Sequence, residues 1–376
     1  MKIERYLTIA FCLCLFTACN GDDNNLLCYG THTELEGDIT TYGAVGDGKT
    51  DCSKAINCAI ASLPSEGGVL VIPEGDFVLD APIVINKNNV TLKGLNPGMR
   101  SNIDVNGIND LLGPGGGSKL VARNAEVAIK VETGVKDIKI MNLMVSGGTE
   151  AKNIGMHFTG ASEGGILSNI IGINLHTGIK IEQAKNMQMT NCWICELPNS
   201  IELLGGENIH IKNCQLGAQP TGITCKAQGV DKLSFINNQV YPDGRENLVL
   251  DGCNNGIIEG NNFKSYYNGI LVLNGNDNKV NKNIFWLTGA VQNQMLDHGS
   301  DFGIIHVNGN NNLFASNSLS CEWAYADAVT VNAVQGTGNV FKNCFVDNLE
   351  SHQVFLVNAQ TEVSNCVSSD KVSIVE

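Results

Sequence analysis

Between Gly165 and Phe285 one short pattern returns again and again. One limb of it reads GIKI at Gly178, SIEL at Ser200, GITC at Gly222, NLVL at Asn247 and GILV at Gly269. The other reads MQMTNC, IHIKNC, LSFINN, IIEGNN and KVNKNI, which puts Asn191, Asn213, Asn237, Asn261 and Asn283 at one phase. Both limbs recur every ~22–25 residues, a period that marks stacked solenoid coils. Within each limb apolar residues alternate with others, as in Ile179 and Ile181 around Lys180, the two-residue period of a strand. Two or three short strands per coil, broken by Gly and Asn at the corners, wind into a parallel β-helix, with neighbouring coils ~4.8 Å apart. Asn suits such corners because it tolerates left-handed backbone and its amide can bond the equivalent amide one coil away.

The 376 residues suffice for one long solenoid, and 42 Gly against 8 Pro suit many tight corners around a filled interior. The first residues carry Lys2 and Arg5, then an apolar run from Tyr6 to Phe16, too short for a transmembrane helix and shaped like a secretory signal. The ending FTAC resembles a bacterial lipobox, which implies a lipid on Cys19 after removal of residues 1–18. Residues 19–37 then form a tether. Its NGDDNN resembles the export signal of surface lipoproteins in Bacteroidetes-type bacteria, placing the protein on the outer membrane, held by lipid alone. The β-helix domain is expected over 38–376.

Of 14 cysteines, Cys12 and Cys14 leave with the signal and Cys19 takes the lipid. Eleven remain, an odd number for a disulfide framework. Cys192, Cys214, Cys344 and Cys366 each follow a corner Asn and read as small buried apolar residues stacked coil upon coil. Cys192 and Cys195 form a lone CxxC without a second pair, so no metal and no cofactor is expected. The net charge of −14 argues against nucleic acid and leaves a neutral saccharide as the easier partner.

From Asp38 the sequence runs DITTYGAVGDGKTDCSKAINCAIASLPSEGGVLVIPEGDFVL. Thr50 or Asp51 can cap a helix that buries Ile56, Ala59, Ile60 and Leu63, a cover for the open first coil. This stretch resembles the entry signature of the pectate-lyase-like superfamily, with Cys52 and Phe77 as departures. The resemblance implies a right-handed, single-stranded parallel β-helix, an all-β fold, and says little about the reaction. Residues 96–119 form a long loop thrown out of the early coils, and WLTGAVQNQMLDHGSDF after Phe285 lengthens a later one. The outward positions of the GIxI limb are read as Lys180, Glu202 and Thr224, then Val249 and Leu271. Two middle coils are therefore apolar on both faces, which suggests a subunit interface, the favoured reading, or a covering tail.

The run GAQPTGITCKAQGVDKLSFINNQVYPDGRENLVLDGCN from Gly217, with SYYNGILVLNG, GIIHVNGNNNLFASN and SHQVFLV, resembles the difructose-anhydride-forming inulin fructotransferases over roughly residues 150–360. What that family implies is a homotrimer with sites between subunits and no metal. It also implies a lyase reaction that releases a cyclic difructose unit from inulin. Such a reaction needs one group to protonate the departing oxygen and one to take the attacking hydroxyl's proton. The family's Asp falls on Thr221 and its Glu on Asp231, so the acid has become a hydroxyl. Arg245 matches a family Arg that could fork onto sugar hydroxyls, its other role being to tie Asp243 or Glu246. Glu202 and His306 match a family Glu and His, each with a purely structural alternative. Asp297, His298 and Asp301 lie in the insertion, where a rim could supply the missing acid. Tyr267, beside Tyr266, can stack on a sugar ring or pack against a subunit. Two other functions stay open: a uronan lyase or epimerase, and a glycan-binding β-helix without turnover.

Overall fold

The computed structural model describes residues 36–98, 117–148, 152–288, 298–322, 328–348 and 353–376. The expected signal segment, Cys19, most of the expected tether, most of the expected early loop and Asp297 lie outside these residues. Every strand pairs in parallel with the strand one coil on, and three such ladders make a right-handed parallel β-solenoid of about 11 turns. The first sheet collects the GIxI limb, for example Ile179 beside Ile201 and then Cys225 beside Leu248. The second sheet carries the MQMT limb, with Met189 beside Ile211 and then Phe235. The third takes the residues after the corner Asn, such as Ile194 beside Leu216 and then Val240.

Inward positions fill the solenoid axis with apolar side chains. Phe235, Phe263 and Phe285 are fully buried and stack with centroids 5.9 and 5.0 Å apart; Phe314 and Phe341 repeat the arrangement at 4.4 Å. The helix Ser53–Ser62 closes the first turn, burying Ile56, Ala59 and Ile60, with Leu63 at its end. Asp51 takes part at its start, its Oδ1 accepting from the Ser53 amide at 3.1 Å and the Ser53 hydroxyl at 2.6 Å. A solenoid's open end exposes both core and unpaired strand edge, and the helix covers them.

The corners show where the periodic reading is right and where it slips. Asn191, Asn213 and Asn237 have φ of 56°, 55° and 54°, the left-handed geometry expected of corner Asn. Asn261 and Asn283 stand one residue further along and point inside, where they extend a buried column that starts at Asn238. Along it the amide of Asn238 donates to Asn261 Oδ1, that of Asn261 to Asn283, and that of Asn283 to Asn317, at 3.1, 2.9 and 3.1 Å. Below Asn238 the same column is taken by Cys214 and Cys192, and above Asn317 by Cys344 and Cys366. These cysteines are free, and Cys225 is buried on the first sheet, as small interior residues should be.

Outward on the first sheet the pairing runs Lys130, His157, Lys180, Glu202, Lys226, Val249, Val272, His306 and Asn332. Thr224 and Leu271 are therefore not outward residues: both are wholly buried, and Lys226 and Val272 hold those positions. The pairing skips between Ile194, Leu197 and Asn199, and this irregularity moves the Gly222 limb two residues out of the simple repeat. The apolar pair on the outer face survives the shift as Val249 and Val272. The early end of the same face is charged, Glu182 holding Lys180 at 2.9 Å and His157 at 3.1 Å.

Candidate active site

The corner where the third sheet turns into the first gathers most of the polar side chains singled out above. Each coil contributes a few residues: 195–199, 217–222, 241–246, 266–270 and, after the insertion, 298–304. The turns are held by backbone bonds, including Arg245 N to Gly222 O at 2.9 Å and Tyr266 N to Pro242 O at 3.2 Å. Gly222 is required here because a Cβ would run into the Pro198 carbonyl of the coil before. Thr221, just ahead of it, is exposed.

Two carboxyls share this corner. Burial raises the pKa of Glu196, with the like charge of Asp243 adding to it, and burial raises that of Asp243 itself. Both residues keep much of their surface in solvent, so it is their carboxyl ends that are crowded. The Tyr266 and Tyr241 hydroxyls are held protonated to higher pH by the same burial, and Tyr241 donates to Gln215 Oε1 at 3.0 Å. Tyr267 is half-buried beside them, its amide bonded to the Ser265 hydroxyl at 3.0 Å.

One step further along, Glu246 begins its strand with only 8% of its surface exposed. The Arg245 guanidinium lies 3.7 Å from its Oε1, and His298 Nε2 lies 2.8 Å from the same oxygen. A carboxylate buried this far is costly unless paired, and these two groups pair it. The His298 ring stacks on Phe302 at 4.3 Å, and Phe302 stacks on His306 at 3.9 Å, so one phenyl lies between two imidazoles. His306 Nδ1 is 3.0 Å from the Phe302 carbonyl, which can only accept, so that nitrogen carries the proton. Burial lowers the His306 pKa, against the pull of the Phe302 carbonyl and Asn308.

Arg245, His306 and the His298–Phe302 segment thus meet at one end of the first sheet's outer face. Glu202 lies on that face, half-buried, in register with Lys180 and Lys226. Asp301 is exposed on the short helix Ser300–Phe302, whose position is fixed by Asn332 donating to the Asp301 carbonyl at 2.7 Å. Asp231 lies elsewhere. It ends the strand Gln215–Asp231 on which Thr221 sits near the start, at the opposite corner of the first sheet. The first-sheet stretch 223–228 lies between them, roughly 20 Å of extended chain, beyond the ~5–9.5 Å of carboxyl pairs that act on one glycosidic bond. Asn255 donates to Asp231 at 2.7 Å, and Lys232 bridges it to Glu207 at 3.6 and 2.6 Å.

Glu246 was visible in the sequence only as a partner for Arg245, and Glu196 carried no signal at all. No local pattern marks either, because their neighbours arrive from other coils. Among the described residues no group of three or more His, Cys, Asp or Glu converges as a metal site would.

Comparison with known proteins agrees with this architecture. Over 321 residues the chain is 24% identical to an inulin fructotransferase (DFA-I-forming) of Arthrobacter globiformis, covering 75% of this chain and 80% of that one. The crystal structure of DFA-IIIase from Arthrobacter chlorophenolicus A6 in complex with GF2 superposes with a TM-score of 0.79 at 21% identity, covering 91% of this chain and 96% of that one. The same enzyme in complex with DFA-III gives 0.77 at 20% identity, over 91% and 96%. At these identities the superpositions establish the shared fold. The family model for periplasmic copper-binding protein (NosD) matches residues 159–365, and that for rhamnogalacturonase A/epimerase, pectate lyase-like, matches 38–258. The chain belongs to the rhamnogalacturonase A/epimerase, pectate lyase-like family, and its later coils to the NosD family as well.

Proposed function

We propose that this β-helix is a carbohydrate lyase acting on inulin-type fructan by intramolecular fructosyl transfer. The observation that carries the reading is the corner itself. Arg245, Glu246, His298 and His306 converge there on the outer face of a solenoid that superposes on a structure holding the oligosaccharide GF2. The relationship in sequence to an inulin fructotransferase supports the substrate class.

In the reaction the glycosidic C–O bond to the rest of the chain breaks. A hydroxyl of the neighbouring fructosyl residue forms the new C–O bond at the same anomeric carbon. Its proton passes to a base while an acid protonates the departing oxygen, so no water is consumed and no covalent enzyme intermediate is needed. Arg245, Glu202, His306 and Tyr267 bind the saccharide, with Asp297, which lies outside the described residues, as a further binding residue; Asp301 stands at the rim, and Asp231 serves as base. Asp231 can do so only across a subunit boundary, because within one copy it is too far from the Thr221 corner. A homotrimer packed on Val249 and Val272 would bring one copy's Asp231 corner to the next copy's Arg245 corner. Export and anchoring by lipid on Cys19, with residues 1–18 removed, complete the proposal; labelled palmitate failing to enter the protein would refute the anchor.

The test is incubation of the mature protein with inulin, levan, difructose anhydrides and rhamnogalacturonan, with product analysis. Cyclic disaccharide released from inulin supports the reading, whereas hydrolytic opening of an added difructose anhydride with no release from inulin would make the protein an anhydride hydrolase instead. Products from rhamnogalacturonan alone would move the protein to uronan chemistry, and sugar binding without any product would make it a glycan-binding module.

A further inference from the structure

We propose that His298 is the acid of this site and that Glu246 is the residue that positions it. The proposal rests on the fructan-lyase reading and supplies the proton donor that Thr221 cannot be, since an aliphatic hydroxyl is a poor acid.

The column in which Glu246 stands makes the case first. Across the coils its register partners are Ile223, then Asn199, then Thr177, all uncharged. The fold is served at this position by an aliphatic, an amide or a hydroxyl, so a buried carboxylate is not a requirement of the winding. It is satisfied by a side chain that arrives 52 residues later, at the end of the insertion. That segment is fixed independently of the pair. Asn268 Nδ2 donates to the Gly299 carbonyl at 2.6 Å, Val329 N donates to Ser300 O at 3.0 Å, and Phe302 clamps the imidazole face at 4.3 Å. A carboxylate on one imidazole nitrogen, with the ring held from the side, is the arrangement that leaves the other nitrogen to serve a ligand.

With Nε2 held on Glu246, Nδ1 of the imidazolium donates its proton to the departing glycosidic oxygen as that C–O bond breaks. The attacking hydroxyl closes the anhydride ring and gives its proton to the base, and solvent returns one to His298. Among the described residues the charged or titratable groups facing His298 are Glu246, Arg245 and His306.

The experiment uses the mature chain with inulin as substrate. His298→Gln should lower kcat by 100-fold or more while KM changes less than about threefold, the signature of a lost proton donor. Imidazole added to His298→Gly should restore part of the rate, which a bracing role would not allow. Glu246→Gln should lower kcat at least tenfold with KM changed less than about threefold, and Glu246→Asp should recover part of that loss, a split that a merely structural contact would not give. Undiminished kcat in a folded His298→Gln protein would overturn the dyad while leaving the lyase reading intact. Absence of turnover in the wild-type protein would overturn both.

Discussion

His298 Nε2 stands 2.8 Å from Glu246 Oε1, although the two are 52 positions apart in the chain. The contact joins the strand that starts at Glu246 to the far end of the insertion, and Phe302 and His306 continue it over the sheet face. It gives the outer surface of the solenoid a polar centre, above an interior of apolar side chains threaded by the buried Asn column.

The buried Asn column should carry much of the later coils' stability. Asn283 Oδ1 accepts from both the backbone and the side-chain amide of Asn261, while its own amide donates to Ile258 O and Asn317 Oδ1. Asn283→Ala strands several buried polar groups at once, each costing about 1–3 kcal/mol. Chemical denaturation should show a loss of about 3 kcal/mol or more; a loss under about 0.5 kcal/mol would mean the column is not continuous in solution.

His306 sets a pH dependence. Its folded pKa is lowered by burial, so between that value and the ordinary ~6.5 of an unfolded imidazole the unfolded chain binds the extra proton. Stability from this residue is complete above the unfolded value and falls as the pH drops below it. Melting temperatures from pH 7.5 to 5 should decline less steeply in His306→Gln than in the wild-type protein. Parallel curves would show that the ring is solvated.

The first sheet's middle coils present Val249 and Val272 outward between a charged early end and His306. Val249→Glu should leave the coil intact, since the side chain points away from the axis, and dissociate the proposed trimer. Sedimentation measures this directly. A wild-type monomer, or a trimer indifferent to Val249→Glu, would remove the interface from that face.

Winding and interior were legible in the sequence because alternation and corner residues repeat along the chain, while two or three strands per coil stayed open and the structure has three. GIKI and SIEL fall in true register, and Cys192, Cys214 and Cys225 are buried as their phase demands. The phase was lost where the chain departs from strict repetition. The irregularity around Leu197 displaced the Gly222 limb, and Asn261 and Asn283 could not be told from corner Asn because NN and NI offer no cue to which residue turns. The site was half legible. Arg245 and His306 converge at one corner, yet His298 finds its partner on a strand that begins 52 positions earlier, a pairing that no periodicity encodes. Asp231 shows the opposite limit: closeness in sequence to Thr221 is distance in a strand, and only the coordinates place the two at opposite corners.

The most direct test is release of difructose anhydride from inulin, followed by chromatography, for the wild-type protein beside Arg245→Ala. Turnover in the wild type and a loss of at least tenfold in kcat/KM in the variant is the predicted result. Inulin left intact by the wild type at high protein concentration, with difructose anhydrides also unchanged, would contradict a fructan-processing centre at this corner.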